Sequence, residues 1–132
     1  MRTGDDPSPR LVEQRPRDRV MEALEPLADG DAGVYSCGAM EYFEQFFDFV
    51  NDDSPWKWRT WSSFTPREVE ALAEVLELMN AACAATRQHL SEEELAASGW
   101  PARVEPVAAA TLSMMRDRGR FNEDTEEAAP SL

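Results

Sequence analysis

The sequence lacks most of the residues and motifs on which enzymatic chemistry depends. It contains one histidine, His89, and two cysteines, Cys37 and Cys83, which lie far apart and without the spacing of a metal site or a redox motif. A site that needs two imidazoles is therefore excluded within one subunit, and both thiols are expected to be free. There is also no Gly-rich phosphate loop, dinucleotide fingerprint, nucleophile elbow or zinc-protease helix. These absences weigh against an enzyme and predict no cofactor and no metal.

Long apolar runs are also missing. The longest stretch without a charged residue, 106–115, is far shorter than the ~20 apolar residues that a membrane span requires. The first residues mix Asp, Pro and Arg without an apolar signal region. We therefore expect a cytoplasmic protein without a membrane segment. Lysine is nearly absent, with Lys57 alone against twelve arginines, and together with the abundant alanine this bias is typical of a GC-rich bacterial genome.

Acidic residues are abundant and unevenly distributed. The 132 residues carry a formal net charge of −13. Residues 22–77 hold thirteen acidic and three basic groups, so most of the negative charge lies in the middle of the chain. Such a surface repels nucleic-acid phosphate and anionic membranes and attracts basic protein surfaces or cations. The distribution predicts a basic protein partner and argues against nucleic acid and membranes; the alternative is that the charge serves solubility alone.

The strongest helix signal covers residues 65–90. Thr, Pro, Arg and Glu at 65–68 form a capping box with proline at the first helical position, where its missing N–H has no cost. Core-type residues then recur at alternating spacings of three and four, which places them on one helix face: Val69, Leu72, Leu76, Met79, Cys83, Thr86 and Leu90. We take residues 66–90 as the central helix of the domain.

The remaining surface of this helix changes along its length. Glu70, Glu74 and Glu77 fall opposite the apolar stripe and are expected to be in water. Residues 80–86 are small or weakly polar on every side, which predicts that this half is buried all round. The same alanine-rich surface could instead pair with a second copy across a two-fold axis, so a homodimer is one expectation.

Further helices are predicted on both sides of the central one. They open at Pro16, cover 39–50, follow the capping box of Ser91 and Glu94, and run from 102 or 105 to 118, where Gly119 is the expected cap. The helix at 39–50 should direct inward a broad apolar face, flanked by Tyr42 and Phe49, that consists of Ala39, Met40, Phe43, Phe46, Phe47 and Val50. Between the first two helices, 29–33 has loop chemistry and 34–38 reads as a short extended or irregular piece.

These elements predict an all-α fold, a bundle of four or five helices around the helix at 66–90. The alternative is a small α+β fold in which residues 34–37 and 56–61 are strands. The expected domain organisation is a mobile leader at 1–15, a single helical domain at 16–120 and a disordered acidic tail at 121–132.

Residues 51–64, here called the Trp segment, are the most unusual stretch. They hold three of the four tryptophans and the only basic residues between Arg19 and Arg67. Aromatic and basic residues together are typical of protein interaction hot spots. They would also suit stacking on exposed bases, but the surrounding negative charge opposes a polyanion. The structural interpretation is that the indoles cap the open end of the helical core, with Lys57 and Arg59 neutralising nearby carboxylates.

Two functional hypotheses follow. The first is a non-enzymatic acidic interaction protein, of the inhibitor, immunity or regulatory kind, that binds a basic partner. Its predicted binding residues are Trp56, Lys57, Trp58, Arg59, Trp61, Glu41, Glu44 and Asp48, with Glu70, Glu74 and Glu77 adding to the attractive field. The second is a small-molecule-binding or enzymatic bundle whose pocket lies between the Trp segment and the helix at 39–50. Its predicted lining is Tyr42, Trp56, Trp58, His89 and a nearby Glu.

Overall fold

The computed structural model describes residues 9–53, 57–86 and 90–121. In these ranges the chain forms six α-helices: α1 (Pro9–Ala28), α2 (Asp31–Cys37), α3 (Ala39–Phe47), α4 (Pro66–Ala85), α5 (Glu92–Ala97) and α6 (Trp100–Arg118). A 3₁₀ turn at Trp58–Thr60 lies between α3 and α4. The described residues contain no β-strand, so the predicted all-α bundle is confirmed and the α+β alternative is wrong. Residues 34–37, one of its proposed strands, belong to α2.

Helix α6 has the most extensive packing in the bundle. It packs chiefly on α1 and α4 and also contacts α5 and α2. Helices α2 and α3 pack on α1 and on each other. The helix expected to be central, at 66–90, ends at Ala85 and packs mainly on α6. One hydrophobic core results, and the residues buried within it include Leu24, Phe46, Leu72, Met79 and Met115.

Local hydrogen bonds fix the beginnings of α4 and α5. The Thr65 hydroxyl accepts from the Glu68 amide at 3.1 Å, and the Glu68 carboxylate accepts from the Thr65 amide at 2.9 Å. Ser91 and Glu94 repeat this reciprocal pair at the start of α5. Each pair satisfies two backbone N–H groups that have no partner inside the helix. Both predicted capping boxes are confirmed.

The second half of α4 is more exposed than predicted. The core stripe is buried at Leu72, Leu76 and Met79. Residues 80–86 were expected to be buried all round, yet among them only Ala82 is buried. The reason is that α4 packs chiefly on one neighbour, α6, so only one side of the helix is covered. A composition of small residues therefore does not by itself show how many helices lie around them.

Helix α1 begins at Pro9, inside the stretch expected to be a mobile leader and well before the predicted start at Pro16. Leu11 and Gln14 are buried and extend the core-facing side of the helix across Pro16. A proline inside a helix costs ~3 kcal/mol because it lacks an N–H and crowds the preceding turn. Burial of the residues before Pro16 offsets that cost. Residues 1–8, the rest of the predicted leader, lie outside the described residues.

Residues 29 and 30 form a turn as predicted, but from Asp31 onward the helix α2 replaces the rest of the predicted loop and the irregular piece that follows it. Gly33 makes this possible, because a Cβ at this position would lie 1.8 Å from the carbonyl oxygen of Pro26. The backbone of α2 therefore packs directly against the end of α1, and Val34 is buried beside it. Glycine usually indicates a turn, but here its missing side chain permits close packing between helices.

The buried face of α3 is rotated from the predicted one. Tyr42, expected at the border of the face, is 1% exposed, whereas Met40, expected inside, is 58% exposed. Ala39 and Phe46 share the buried face with Tyr42. Because α3 packs on both α1 and α2, the face that meets both helices is the one that becomes buried.

The C-terminal helix starts earlier than predicted and ends, as predicted, at Arg118. It begins at Trp100 and includes Pro106. Gly119, at φ 99°, caps its end as predicted. Phe121 was assigned to the disordered tail but is buried. Residues 122–132, the remainder of that predicted tail, lie outside the described residues.

A buried ion network joins α1, α4 and α6, and we call its members Arg17, Glu68 and Arg118 the Arg17 network. Arg17 Nη1 lies 2.9 Å and Arg118 Nη2 lies 3.1 Å from Oε1 of Glu68. The side chains of Arg17 and Glu68 are 0% and 1% exposed. Arg17 also donates hydrogen bonds to three backbone carbonyls, at Ser63 (3.1 Å), Met115 (3.2 Å) and Gly119 (3.0 Å). The buried guanidinium thus connects four separate parts of the chain.

Phe121 closes the network from outside the helices. The guanidinium carbons of Arg10, Arg17 and Arg118 lie 4.6, 5.6 and 5.7 Å from the centre of its ring. A cation near the face of an aromatic ring is attracted by the negative potential of that face. Phe121, two residues after the α6 cap, is therefore held against α1 by both burial and charge.

Glu68 is held in its ionised form by this environment. Burial alone would raise the pKa of its carboxyl group, but the hydrogen bonds from Arg118, Arg17 and the Thr65 amide together outweigh burial. The pKa of Glu68 therefore lies below its ordinary value of 4.5. Because the folded-state pKa is the lower one, Glu68 stabilises the fold above its unfolded pKa. That contribution is lost as the pH falls through the folded pKa.

Replacing Glu68 with Gln should therefore destabilise the protein strongly. The change leaves the Arg17 guanidinium buried without a counter-charge, and breaking a buried ion pair on one side costs about 3–5 kcal/mol. Urea unfolding followed by circular dichroism at neutral pH measures this loss. The variant should also show a weaker dependence of the free energy of unfolding on pH below about 4.5 than the wild type.

The matched control is Glu25→Gln, which removes a carboxylate from a solvent-exposed pair. Glu25 lies 3.5 Å from Arg116, and both side chains are more than half exposed. Such pairs contribute ~0–1 kcal/mol, so this variant should unfold close to the wild type. Equal effects of the two substitutions would contradict a structural role for the Arg17 network.

Candidate functional surfaces

The two described tryptophans of the Trp segment are folded into the core. Trp58 and Trp61 are 1% and 9% exposed. Trp58 Nε1 donates to Asp52 Oδ1 at 3.2 Å, and the Trp61 ring stacks on that of Phe64 at 5.5 Å between centroids. These two indoles fill the core and form no exposed anchor, which corrects their predicted binding role. Trp56, the third predicted anchor, lies outside the described residues.

The two basic residues of the Trp segment lie on the surface. Arg59 forms a two-pronged ion pair with Asp52, at 2.8 and 2.9 Å, and lies 4.6 Å from the Trp58 ring centre. Its hydrogen bonds lower the pKa of the Asp52 carboxyl group. Lys57 is exposed and has a left-handed backbone with φ 51°. Arg59 neutralises a carboxylate beside a buried indole, as the structural interpretation of this segment predicted.

The predicted acidic binding residues all lie on the surface. They form two groups: the α3 acidic face, consisting of Glu41, Glu44 and Asp48, and the α4 acidic face, consisting of Glu70, Glu74 and Glu77. Within the described part of the chain, none of the six carboxylates forms an ion pair. Their negative charge is therefore directed to solvent.

Several acidic residues elsewhere in the fold are paired with arginines. Around α1 and the C-terminal half of α6, the ion pairs are Arg19 with Glu22 (2.8 Å), Arg120 with Glu22 (3.1 Å), Arg120 with Asp18 (3.7 Å) and Arg116 with Glu25 (3.5 Å). Many of the basic side chains are thus engaged within the fold. The α3 and α4 acidic faces each bring together three unpaired carboxylates. Other exposed acidic residues also form no ion pair within the described residues: Asp29, Asp31, Asp53, Glu93, Glu105 and Asp117.

A groove follows the seam between α4 and α6, and we call it the α4–α6 groove. It consists of two cavities of about 430 and 510 Å³, both lined by Glu74 and Val107. All three carboxylates of the α4 acidic face contribute to its lining. Trp100 and Arg103 line one end, where the guanidinium carbon lies 4.1 Å from the indole centre. No periodic pattern in the sequence indicates this groove, because the groove depends on which face of α6 meets α4.

The pocket predicted between the Trp segment and the helix at 39–50 receives no support from the described residues. Tyr42 and Trp58 belong to the buried core, and neither lines the two cavities above. His89 and Trp56 lie outside the described residues. The Tyr42 hydroxyl is buried with no hydrogen-bond partner among the described residues, and burial raises its pKa.

The described residues also offer no reactive constellation. Burial raises the pKa of the Cys37 thiol, the opposite of what an activated nucleophile requires. Within residues 9–53, 57–86 and 90–121, no three His, Cys, Asp or Glu side chains are grouped so that they could hold a metal ion. In the same ranges, no helix has the length and apolar character needed to cross a bilayer. The candidate functional features of the described residues are therefore the charged surfaces and the α4–α6 groove.

Comparisons with known proteins do not assign a family. No protein-family model, curated protein or solved structure matches this chain. A functional assignment therefore has to rest on the chemistry of these surfaces.

Replacing Tyr42 with Phe should leave the protein as stable or stabilise it by about 1 kcal/mol. The substitution removes a buried hydroxyl that has no described partner while keeping the ring in the core. Urea unfolding of Tyr42→Phe is compared with that of Tyr35→Phe, an exposed position where no change is expected. A clear loss of stability specific to Tyr42 would indicate a bonded hydroxyl and would favour a polar pocket at this position.

Replacing Trp58 with Ala should destabilise the protein by about 3–5 kcal/mol, because it empties a large volume in the core. An exposed interaction anchor would instead lose little stability when truncated. Thermal and urea unfolding of this variant, with Lys57→Ala as the exposed control, distinguishes the two roles. A Trp58→Ala variant as stable as the wild type would restore the anchor hypothesis.

Proposed function

We propose that this chain is a non-enzymatic acidic interaction protein that binds a basic protein partner, as an inhibitor, immunity protein or regulator does. The observation that carries the proposal is the set of six exposed carboxylates on the α3 and α4 acidic faces, none of which is paired within the described residues. Arginines elsewhere in the fold pair with other carboxylates. The charge on these two faces is therefore left for a partner.

The physical role of such faces is attraction and orientation. Clustered like charges produce a field that increases the rate at which an oppositely charged partner is captured, and complementary charges fix its orientation. The effect is screened by salt, with a Debye length of about 8 Å at physiological ionic strength. Binding through these faces should therefore weaken as salt is added.

The Trp segment has a supporting role in this proposal. Trp58 and Trp61 are core residues, and Arg59 is engaged by Asp52. Their contribution is to hold the segment in place between α3 and α4. The contact with the partner is assigned to the carboxylates of the two acidic faces and to apolar side chains beside them.

Two matched triple variants test the proposal. Glu41→Gln, Glu44→Gln and Asp48→Asn neutralise the α3 acidic face, and Glu70→Gln, Glu74→Gln and Glu77→Gln neutralise the α4 acidic face. Tagged wild-type and variant proteins are used to capture partners from lysate of the source cells, followed by stepwise elution with salt and native mass spectrometry. Both variants remove the same charge from exposed positions, so circular dichroism should show that both remain folded.

The expected result is a stoichiometric basic protein that binds the wild type, is released by salt and is lost with at least one triple variant. Three charged contacts of ~0.5–1 kcal/mol each correspond to a loss of affinity on the order of 10- to 100-fold. A partner that is retained by both variants and is indifferent to salt removes the basis of the proposal. A bound small molecule, detected by native mass spectrometry in the absence of a protein partner, would favour the small-molecule hypothesis instead.

A further inference from the structure

The floor of the α4–α6 groove is formed by a close approach of the two helices. The hydroxyl of the buried Thr111 donates to the Val107 carbonyl at 2.9 Å and lies 3.5 Å from the carbonyl oxygen of Ala71 on α4. A direct contact between a side chain of α6 and the backbone of α4 requires small residues at the seam. The groove above this contact is therefore bounded by two helices that pack directly on each other.

The lining of the groove is in good part apolar and reachable by solvent. Leu78, Val107 and Met114 are half-buried, and Ala81 and Ala110 are exposed. Apolar area that remains in contact with water gains ~25 cal/mol per Å² when a partner covers it. Small side chains on both helices would let another helix approach closely along the seam.

Acidic residues follow the groove at helical spacing. Glu70, Glu74 and Glu77 are separated by four and three residues, so they lie on one side of α4 over ~10 Å of helix length. Two arginines also contribute to the lining, Arg67 in one cavity and Arg103 in the other. Arg103 lies over the Trp100 ring. The three carboxylates thus outnumber the two guanidiniums that line the groove.

We infer that the α4–α6 groove is the docking site for an amphipathic basic helix of the partner, an inference that rests on the proposed function. The apolar stripe of that helix covers Leu78, Val107 and Met114. Lys or Arg residues at positions i, i+4 and i+7 face Glu70, Glu74 and Glu77. Binding of an amphipathic helix in a groove is a common mode of peptide recognition. A second copy of this chain is disfavoured as the occupant, because its net charge of −13 places acidic surface against acidic surface.

The test uses a synthetic helical peptide of about 18 residues, long enough for five turns. It carries Leu and Ala on one face and Lys at i, i+4 and i+7 beside that face, and a second peptide has the same composition in scrambled order. Each is titrated into isotope-labelled full-length protein, and backbone amide shifts are followed by NMR. Affinity is measured separately by fluorescence anisotropy.

The docking site predicts that the patterned peptide shifts amides of α4 and α6 along the groove and that the scrambled peptide binds much more weakly. The triple variant of the α4 acidic face should lose about tenfold or more in affinity. Arg103→Gln should bind a few-fold more tightly, because it removes a like charge. Ala81→Trp fills the groove and should abolish binding, whereas Ala109→Trp, on an exposed position of α6 that does not line the groove, should bind as the wild type does.

Three outcomes would overturn the docking site. They are equal binding of the two peptides, unchanged affinity of Ala81→Trp, and the absence of groove shifts up to ~1 mM peptide. Shifts confined to the α3 acidic face would overturn the groove and leave the proposed function standing. A dimer in sedimentation equilibrium that Ala81→Trp dissociates would assign the groove to self-association. Failure of the proposed function itself is read separately, from the capture experiment with the two triple variants.

Discussion

The ion pair between Arg17 and Glu68 is the constraint on which the rest of the bundle depends. Two charges removed from water are costly unless their mutual attraction and further hydrogen bonds compensate for the lost hydration. Of the guanidinium nitrogens of Arg17, only Nε has no hydrogen-bond partner among the described residues. The carboxylate accepts from Arg118 and from the Thr65 amide, and the guanidinium donates to three carbonyls, one in the Trp segment and two at the end of α6. Satisfying this one pair therefore fixes the start of α4, the end of α6 and the position of α1 between them.

The use of arginines inside the fold also shapes the surface. Arginines in α1, the Trp segment and the end of α6 pair with carboxylates of the same chain, so they do little to offset the acidic residues of α3 and α4. Much of the net charge of −13 is therefore exposed to solvent, and six of the carboxylates that carry it lie on the α3 and α4 acidic faces. The same pairing that stabilises the bundle leaves two acidic faces available for a partner.

The candidate site could be predicted only in part. The six exposed carboxylates follow from sequence, because a charged residue opposite an apolar stripe has nowhere else to point. The role of the tryptophans does not follow from sequence, because composition cannot distinguish an exposed anchor from a core residue. In the structure, Trp58 is a core residue. Trp100 and Arg103 gave no signal as binding residues, since their importance comes from lying beside α4 in space.

The sequence by itself determined the all-α class, both capping boxes and the helix-ending Gly119, because each depends on residues within about four positions of one another. Only the tertiary structure decided that α1 continues through Pro16, that Gly33 packs on Pro26 and that Arg17 meets Glu68. These outcomes depend on contacts between residues far apart in the chain. The free energy of these long-range contacts outweighs local conformational preferences, and such contacts produce no periodic pattern in the sequence.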